Sequence, residues 1–362
     1  DLIIRDADGK DINLTAELDI TIDAYEWHPD GKRIFVLSPT NGTVQIFEID
    51  IASKKMRQVS SGQHNYVSIS IHGDRIFTGR QSMIEPTDLY AIGIKKGDIK
   101  QLTKANEDLL KNITLPTVQE KWITTTDGKQ MLVWMVLPPN MVSSKQYPAL
   151  LYCQGGPQSM VSQFFSYRWN LALMASEGYV VVAPNRRGLP GFGQEWNDAI
   201  SKDWGGQAMR DYISATDEAA KLPYVDKNRM GAVGASYGGY SVYMLAGIHE
   251  KRFKTFISHC GLFNLESWYG TTEELFFADW DHGGPYWLPE NKENYEKNSP
   301  HKYVANWDTP LLVIHGGVDF RVPESEGMQA FQAARLKGLR SKYLLFPTEG
   351  HWVQRPQNGL LW

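Results

Sequence analysis

Cysteine is scarce in this sequence: Cys153 and Cys260 are the only two in 362 residues. Two cannot build a disulfide framework, and each sits in an apolar run where a small buried thiol is expected. An excess of one charge is also missing. Lys and Arg number 37 against 41 Asp and Glu, a net charge of −4, and the basic residues are scattered, which argues against a nucleic-acid-binding surface. No apolar run reaches the roughly eighteen residues of a membrane span, and the opening Asp1-Leu2-Ile3-Ile4-Arg5 has neither an initiator methionine nor a signal-peptide pattern. His-Glu-x-x-His, paired Cys-x-x-Cys and Walker phosphate-loop motifs are absent too, so no metal or other cofactor is expected. What remains has the composition of a globular protein, 42% apolar and 12% aromatic, with length enough for two domains.

The first third of the chain repeats itself. Asp30-Gly31-Lys32-Arg33-Ile34-Phe35 returns as Gly73-Asp74-Arg75-Ile76-Phe77, and Ile46-Phe47-Glu48-Ile49 as Leu89-Tyr90-Ala91-Ile92, at spacings of 42 and 43 residues. Asn13-Leu14-Thr15, Gln58-Val59-Ser60 and Gln101-Leu102-Thr103 form a third series. A period of 40–45 residues holding several short alternating runs is the mark of a β-propeller blade, with a small free-standing β-sandwich as the alternative. Two periods and part of a third cannot close a ring of about four to eight blades, so the expectation is that the natural protein is longer at its N-terminus. The repeat stops between Ala105 and Pro116, which sets the expected domains at 1–114, a partial β-propeller, and 115–362.

Past that boundary, short apolar runs alternate with helical patterns of ten to fifteen residues. Strands are expected at Tyr147–Cys153, Tyr179–Ala183, Met230–Val233, Phe253–Ser258, Pro310–His315 and Lys342–Phe346, with helices around 167–177, 208–222 and 324–337. This is the pattern of an α/β domain with a mostly parallel sheet, whose function gathers at the strand C-termini. There the organising motif falls: Gly234-Ala235-Ser236-Tyr237-Gly238 is G-x-S-x-G set between a strand and a helix. That turn presents a serine as a nucleophile.

A serine hydroxyl needs a base, most often a histidine oriented by a carboxylate, and in α/β-hydrolases both follow the serine in the order acid, then histidine. Of the nine histidines, His351 sits in a loop after the last strand, behind Gly350. His315 shares a loop with Asp319, while His249, His259, His282 and His301 fall on helices, in apolar runs or in the irregular stretch between strands. Asp319, just past the preceding strand, is the chosen acid over Asp279, Asp281 and Asp308. The oxyanion hole needs two backbone N–H donors: Tyr237, next to the nucleophile, and Gly156 in Gln154-Gly155-Gly156-Pro157.

With these residues in place the sequence resembles the prolyl oligopeptidase family of serine peptidases, in the acylaminoacyl-peptidase branch. The resemblance is carried by Gln154-Gly155-Gly156-Pro157, Pro184-Asn185-Arg186-Arg187-Gly188, Asp203-Trp204-Gly205-Gly206, the Ser236 motif, and His315-Gly316 with Asp319. It implies an α/β-hydrolase domain preceded by a β-propeller, with Ser236 as nucleophile, His351 as base and Asp319 as orienting acid. It also implies short peptides as substrates, since the family's propeller admits only these. Removal of N-terminal dipeptides with a small or hydrophobic residue before the cut is the favoured activity. Removal of acylated residues or internal cleavage is the alternative, and ester hydrolysis is less favoured. Phe263, Trp268 and Tyr269 occupy the place where related enzymes build an apolar pocket; ordinary core aromatics are the competing reading. A homodimer is left open, as is the compartment: periplasm or exterior by the resemblance, cytoplasm otherwise.

Overall fold

The computed structural model describes residues 1–142 and 144–362. The chain forms two compact units: residues 1–118 with 160–172 and 189–197, and residues 119–159 with 173–188 and 198–362. The first is not the contiguous block the repeat suggested. Two segments from beyond residue 115 join it; they are mostly irregular, with a short helix at Gln194–Asp198, and offer little periodicity by which a sequence could assign them.

The first unit opens with a hairpin, β1 (Ile3–Arg5) and β2 (Asp11–Asn13). Two four-stranded antiparallel meanders follow. One is β3 (Ala24–Trp27), β4 (Arg33–Thr40), β5 (Thr43–Asp50) and β6 (Met56–Gln58). A two-residue strand, β7 (Asn65–Tyr66), bridges to the second: β8 (Ser70–His72), β9 (Arg75–Ser82), β10 (Glu85–Gly93) and β11 (Ile99–Gln101). The sequence repeat is therefore one meander written twice. Because successive strand side chains face opposite ways, Phe35, Leu37, Ile46, Ile76 and Ile92 build one core layer. Ile34, Val36, Phe47 and Ile49 build another, closed by Leu2 and Leu14. Burial on both faces explains why Ile34–Leu37 reads as a continuous apolar run.

The second unit is organised on an eight-stranded sheet: β12 (Thr117–Thr124), β13 (Gln130–Leu137), β14 (Tyr147–Cys153), β15 (Val180–Pro184), β16 (Val225–Ala235), β17 (Thr255–His259), β18 (Leu311–Gly316) and β19 (Ser341–Phe346). Their order is β12-β13-β15-β14-β16-β17-β18-β19. β13 meets β15 antiparallel, and every pairing from β15 to β19 is parallel. The C-terminal ends of β14, β16, β17, β18 and β19 thus open along one edge. Helix Tyr237–Ile248 is buried from Tyr237 to Gly247, as expected of a helix that is apolar all round. Helices Leu275–His282 and Pro289–Asn298 and the 3₁₀ segment Pro300–Asn306 fill what the sequence showed only as an irregular stretch.

A buried ion pair braces this unit. Arg187 is held by Asp211 at 3.0 Å and by Asp127 in the turn before β13. Asp211 also accepts the Arg187 backbone N–H at 2.8 Å. Burial pushes the Asp211 carboxyl upward, while Arg187 and the amide oppose it. Such a pair costs most when one partner is removed, because the other is left charged and buried.

Candidate active site

β16 ends at Ala235 and helix Tyr237–Ile248 begins at Tyr237, so Ser236 alone makes the turn. Its backbone is at φ 61°, ψ −125°, outside the regions an L-residue prefers and strained by about 1–3 kcal/mol. The glycines permit this. A Cβ on Gly238 would strike the carbonyl oxygen of Cys153, and one on Gly234 would strike that of Gly238. The Ser236 N–H donates to the His259 carbonyl at 3.0 Å, fixing the turn against the end of β17.

The loops after the last two strands bring Asp319 and His351 together. His351 Nδ1 lies 2.7 Å from Asp319 Oδ2, and both side chains are buried. Asp319 Oδ1 accepts the backbone N–H groups of Arg321 and Val322 at 3.1 and 2.9 Å, so the carboxylate is fixed on both oxygens. A carboxylate at Nδ1 assigns the proton to that nitrogen and leaves Nε2 with a lone pair. Burial works against a charged ring, but Cys260 and the Asp319 carboxylate outweigh it and hold His351 above its ordinary value. The competing carboxylates have other partners: Asp279 accepts from Tyr269 Oη, Asp281 from Trp204 Nε1, and Asp308 pairs with Lys251. His315 lies on the other side of Asp319, its Nε2 3.9 Å from Asp319 Oδ2 and on the Val322 carbonyl at 2.8 Å.

Among the described residues, Ser236 Oγ and His351 Nε2 make no hydrogen bond to each other. The side chain recorded against Nε2 is Cys260, with Sγ at 3.9 Å. Sheet register explains the neighbourhood. Ala235 pairs with His259, so Ser236 and Cys260 leave adjacent strand ends side by side, and His351 lies beyond Cys260. Nothing in the apolar run around Cys260 signals this position.

Tyr237, the first residue of its helix, has an N–H without an intrahelical acceptor, and the helix dipole favours negative charge there. Gly155 packs beside Ser236: a Cβ on it would lie 3.6 Å from that of Ser236. Gly156 follows at φ 122°, where a side chain would press on the Ser159 amide. Arg186 holds this loop from behind. It donates to the carbonyls of Pro157 at 2.9 Å and Gln154 at 3.3 Å, and its guanidinium carbon lies 4.4 Å from the Tyr237 ring centroid. In the sequence Arg186 is only part of a motif; the fold makes it the tie between the Gly156 loop and Tyr237.

The three aromatics expected to line a pocket are buried. Phe263 packs on Tyr243 and Trp307 with ring centroids 5.7 and 5.6 Å apart. Trp268 packs on Trp204 and donates from Nε1 to the Arg321 carbonyl at 2.9 Å. Tyr269 lies edge-on to Tyr286 and Trp287. An open cavity of about 590 Å³ is lined by Asp319, His351, Arg321, Trp352 and Glu273 among others. In it Arg321 pairs with Glu274 at 2.9 Å and covers the Trp352 ring at 4.8 Å.

Residues 165–362 match the family model described as prolyl oligopeptidase family. Dipeptidyl-peptidase 5 of Porphyromonas gingivalis is 51% identical over 357 residues, 98% of this chain and 52% of its own length. That of Schizosaccharomyces pombe is 34% identical over 333 residues, 91% of this chain and 48% of its own. Among solved structures, Pyrococcus horikoshii acylaminoacyl peptidase superposes with a TM-score of 0.84 at 24% identity, covering 95% of this chain and 54% of that one. Porphyromonas gingivalis dipeptidyl peptidase 4 gives 0.78 at 21%, with 92% and 47% covered. These structural likenesses show the fold. The chain spans about half the length of the curated relatives it matches.

Proposed function

The chain belongs to the prolyl oligopeptidase family, and from that premise we propose that it carries the catalytic unit of a serine peptidase that releases dipeptides from the N-terminus of short peptides. The observation that carries this reading is the His351–Asp319 pair at 2.7 Å, standing beyond the strand end that bears the strained Ser236 turn. Ser236 Oγ attacks the scissile carbonyl carbon while His351 Nε2 takes its proton. Asp319 keeps the Nδ1–H tautomer and stabilises the imidazolium that forms. The Tyr237 and Gly156 N–H groups receive the oxyanion, a contribution of about 3–4 kcal/mol per donor. His351 then protonates the leaving amine, and water, activated by the same histidine, hydrolyses the ester to free Ser236.

The dipeptide specificity rests on the 51% identity to a dipeptidyl-peptidase 5. Phe263, Trp268 and Tyr269 are assigned to the pocket for the residue before the cut; their apolar rings favour small or hydrophobic side chains. The two meanders of the N-terminal unit are read as two blades of a β-propeller, a reading supported by their 42-residue repeat.

The test is hydrolysis of a chromogenic panel by the full-length natural protein: free-amine dipeptides, the same dipeptides N-acetylated, acetyl-amino acids and a simple ester. Cleavage of the free-amine set, lost on acetylation, is the expected result. Preference for blocked substrates would replace dipeptide release by acyl-amino-acid removal or internal cleavage, and turnover of the ester alone would overturn the peptidase reading.

A further inference from the structure

The contact between Cys260 and His351 supplies no reacting atom in the hydrolysis steps above. Cys260 is fully buried and holds φ 42°, a left-handed conformation that is costly for a residue with a Cβ. Its N–H donates to the Ile314 carbonyl at 2.8 Å, which fixes the residue as the chain leaves β17. From there Sγ reaches 3.9 Å from His351 Nε2 and 3.7 Å from the His351 carbonyl oxygen. Cys260, Asp319 and His351 each present a donor atom, all within 4.8 Å of one another.

We propose that Cys260 Sγ and His351 Nε2 form an inhibitory site for a soft divalent cation of the zinc and cadmium class. Three features carry this. The first is spacing: Zn–S and Zn–N bonds of about 2.3 and 2.0–2.1 Å at a tetrahedral angle put the two donors about 3.6 Å apart, so 3.9 Å is met by opening the angle or by a shift of a few tenths of an ångström. The second is tautomer: Asp319 on Nδ1 leaves the Nε2 lone pair facing the thiol, and a carboxylate–histidine–metal chain is how proteins orient a metal-binding imidazole. The third is access: His351 and Asp319 line the open 590 Å³ cavity, and the fully buried Cys260 lies against His351, so a cation enters from the His351 side.

Binding is a simple exchange. The Cys260 thiol and the protonated fraction of His351 Nε2 give their protons to solvent, two waters leave the hydrated cation as a sulfur–metal and a nitrogen–metal bond form, and the remaining waters complete the coordination. Thiolate and imidazole select zinc or cadmium over magnesium or calcium. The metal occupies the lone pair that would take the Ser236 proton, so on the hydrolase reading above, on which this consequence rests, it inhibits by removing the base.

The experiment separates binding from inhibition. The full-length protein is titrated with Cd²⁺, and the ultraviolet thiolate-to-cadmium band is followed alongside equilibrium dialysis and peptide hydrolysis. One Cd²⁺ per chain with the band is expected. The band should be lost in Cys260→Ser and kept in Cys153→Ala, and Mg²⁺ should give neither binding nor inhibition. His351→Gln should weaken binding by at least the roughly 10- to 100-fold that loss of an outer partner costs, and Asp319→Asn by about that amount with the band retained. A band that survives in Cys260→Ser, or unchanged cadmium affinity in both Cys260→Ser and His351→Gln, would overturn the site. If the band appears as described but the protein hydrolyses nothing, the metal site stands and the peptidase reading falls. If hydrolysis is robust and cadmium neither binds nor inhibits, the reverse holds.

Discussion

The two units differ in what they bury. Among the described residues, every buried Arg, Asp, Glu and His lies beyond residue 118, in the unit built on the β12–β19 sheet: Arg186, Arg187, Asp211, Asp281, Asp319, Glu326, Glu349 and His351 are examples. The N-terminal unit buries polar groups too, but uncharged ones such as Gln45, Ser60, Asn65 and Thr78. Its ion pairs Arg5–Asp11 and Arg75–Asp98 are exposed, where a pair contributes little, and Arg33–Glu48 is only partly covered. Backbone strain divides likewise. Residues with positive φ in the N-terminal unit, apart from glycine, are the turn residues Asn41 and Lys54, whereas the second unit includes Ser236 and Cys260. Buried charge and strain are costs a scaffold avoids and a reactive site requires, so the contrast locates the chemistry without any motif.

The most severe way to sharpen that contrast is Ser236→Ala. Removing the proposed nucleophile should lower kcat/KM for a dipeptide substrate by about 10⁶-fold while the urea unfolding midpoint does not fall. A large loss of stability would mean that the turn is structural. Asp319→Asn should follow with a loss of about 10⁴-fold, and it carries a second readout. Hydrolysis needs neutral His351, so activity falls as pH drops through the value of that ring. Because Asp319 and Cys260 hold the ring above its ordinary value, the acid limb of the wild-type profile should lie above about 6.5. In Asp319→Asn the limb should move toward lower pH.

Phe35→Ala probes the other side of the comparison. Phe35 is fully buried in the meander core, and its truncation should cost about 3–5 kcal/mol in urea unfolding, with the same cost at pH 5 and pH 8. A pH-dependent cost would show that the N-terminal unit holds buried charge after all. Glu326 gives the opposite signature. Burial raises its carboxyl to about 7, against the backbone N–H groups of Asn264 and Phe263 and the Ser267 and Gln329 side chains, which favour the anion. A folded value above the unfolded one means stability that is full below about 4.5 and is lost as pH rises through 7. That decline, on the order of 3 kcal/mol, should be absent from Glu326→Gln in unfolding measured from pH 4 to 8. The smallest effect is Asn264→Ala. Its side chain caps helix Leu265–Tyr269 by accepting from the Glu266 and Ser267 amides, and its loss should cost about 1 kcal/mol in the same assay.

Much of this was legible in the residues. The helix expected around 208–222 spans Gln207–Ala220 and that around 324–337 spans Glu324–Leu336, and Tyr147–Cys153 is a strand with those bounds. Apolar periodicity is local, and local spacing is what a sequence displays. The 42-residue offset between Phe35 and Phe77 marked one meander written twice for the same reason. The Ser236 turn was legible because Gly234 and Gly238 are demanded by contacts along a few residues of chain, and the choice of Asp319 and His351 followed from the order of loops at the strand ends.

Elements without periodicity were not legible. Helices Leu275–His282 and Pro289–Asn298 carry aromatic or polar residues all round, so no apolar stripe announces them. Segments 160–172 and 189–197 pack with the first unit although the chain passes through the second on either side. Phe263, Trp268 and Tyr269 were indistinguishable by type, and only packing shows Phe263 against the stacked rings of Tyr243 and Trp307. By itself, then, the sequence determined the strand order, the periodic helices, the repeat and the Ser236 turn, because each depends on residues near one another in the chain. The tertiary structure alone decided that Cys260 faces His351 and that Arg186 ties the Gly156 loop to Tyr237. Those contacts join residues 91 apart in the first case and span three loops in the second, and only the parallel register of the sheet fixes which of them meet.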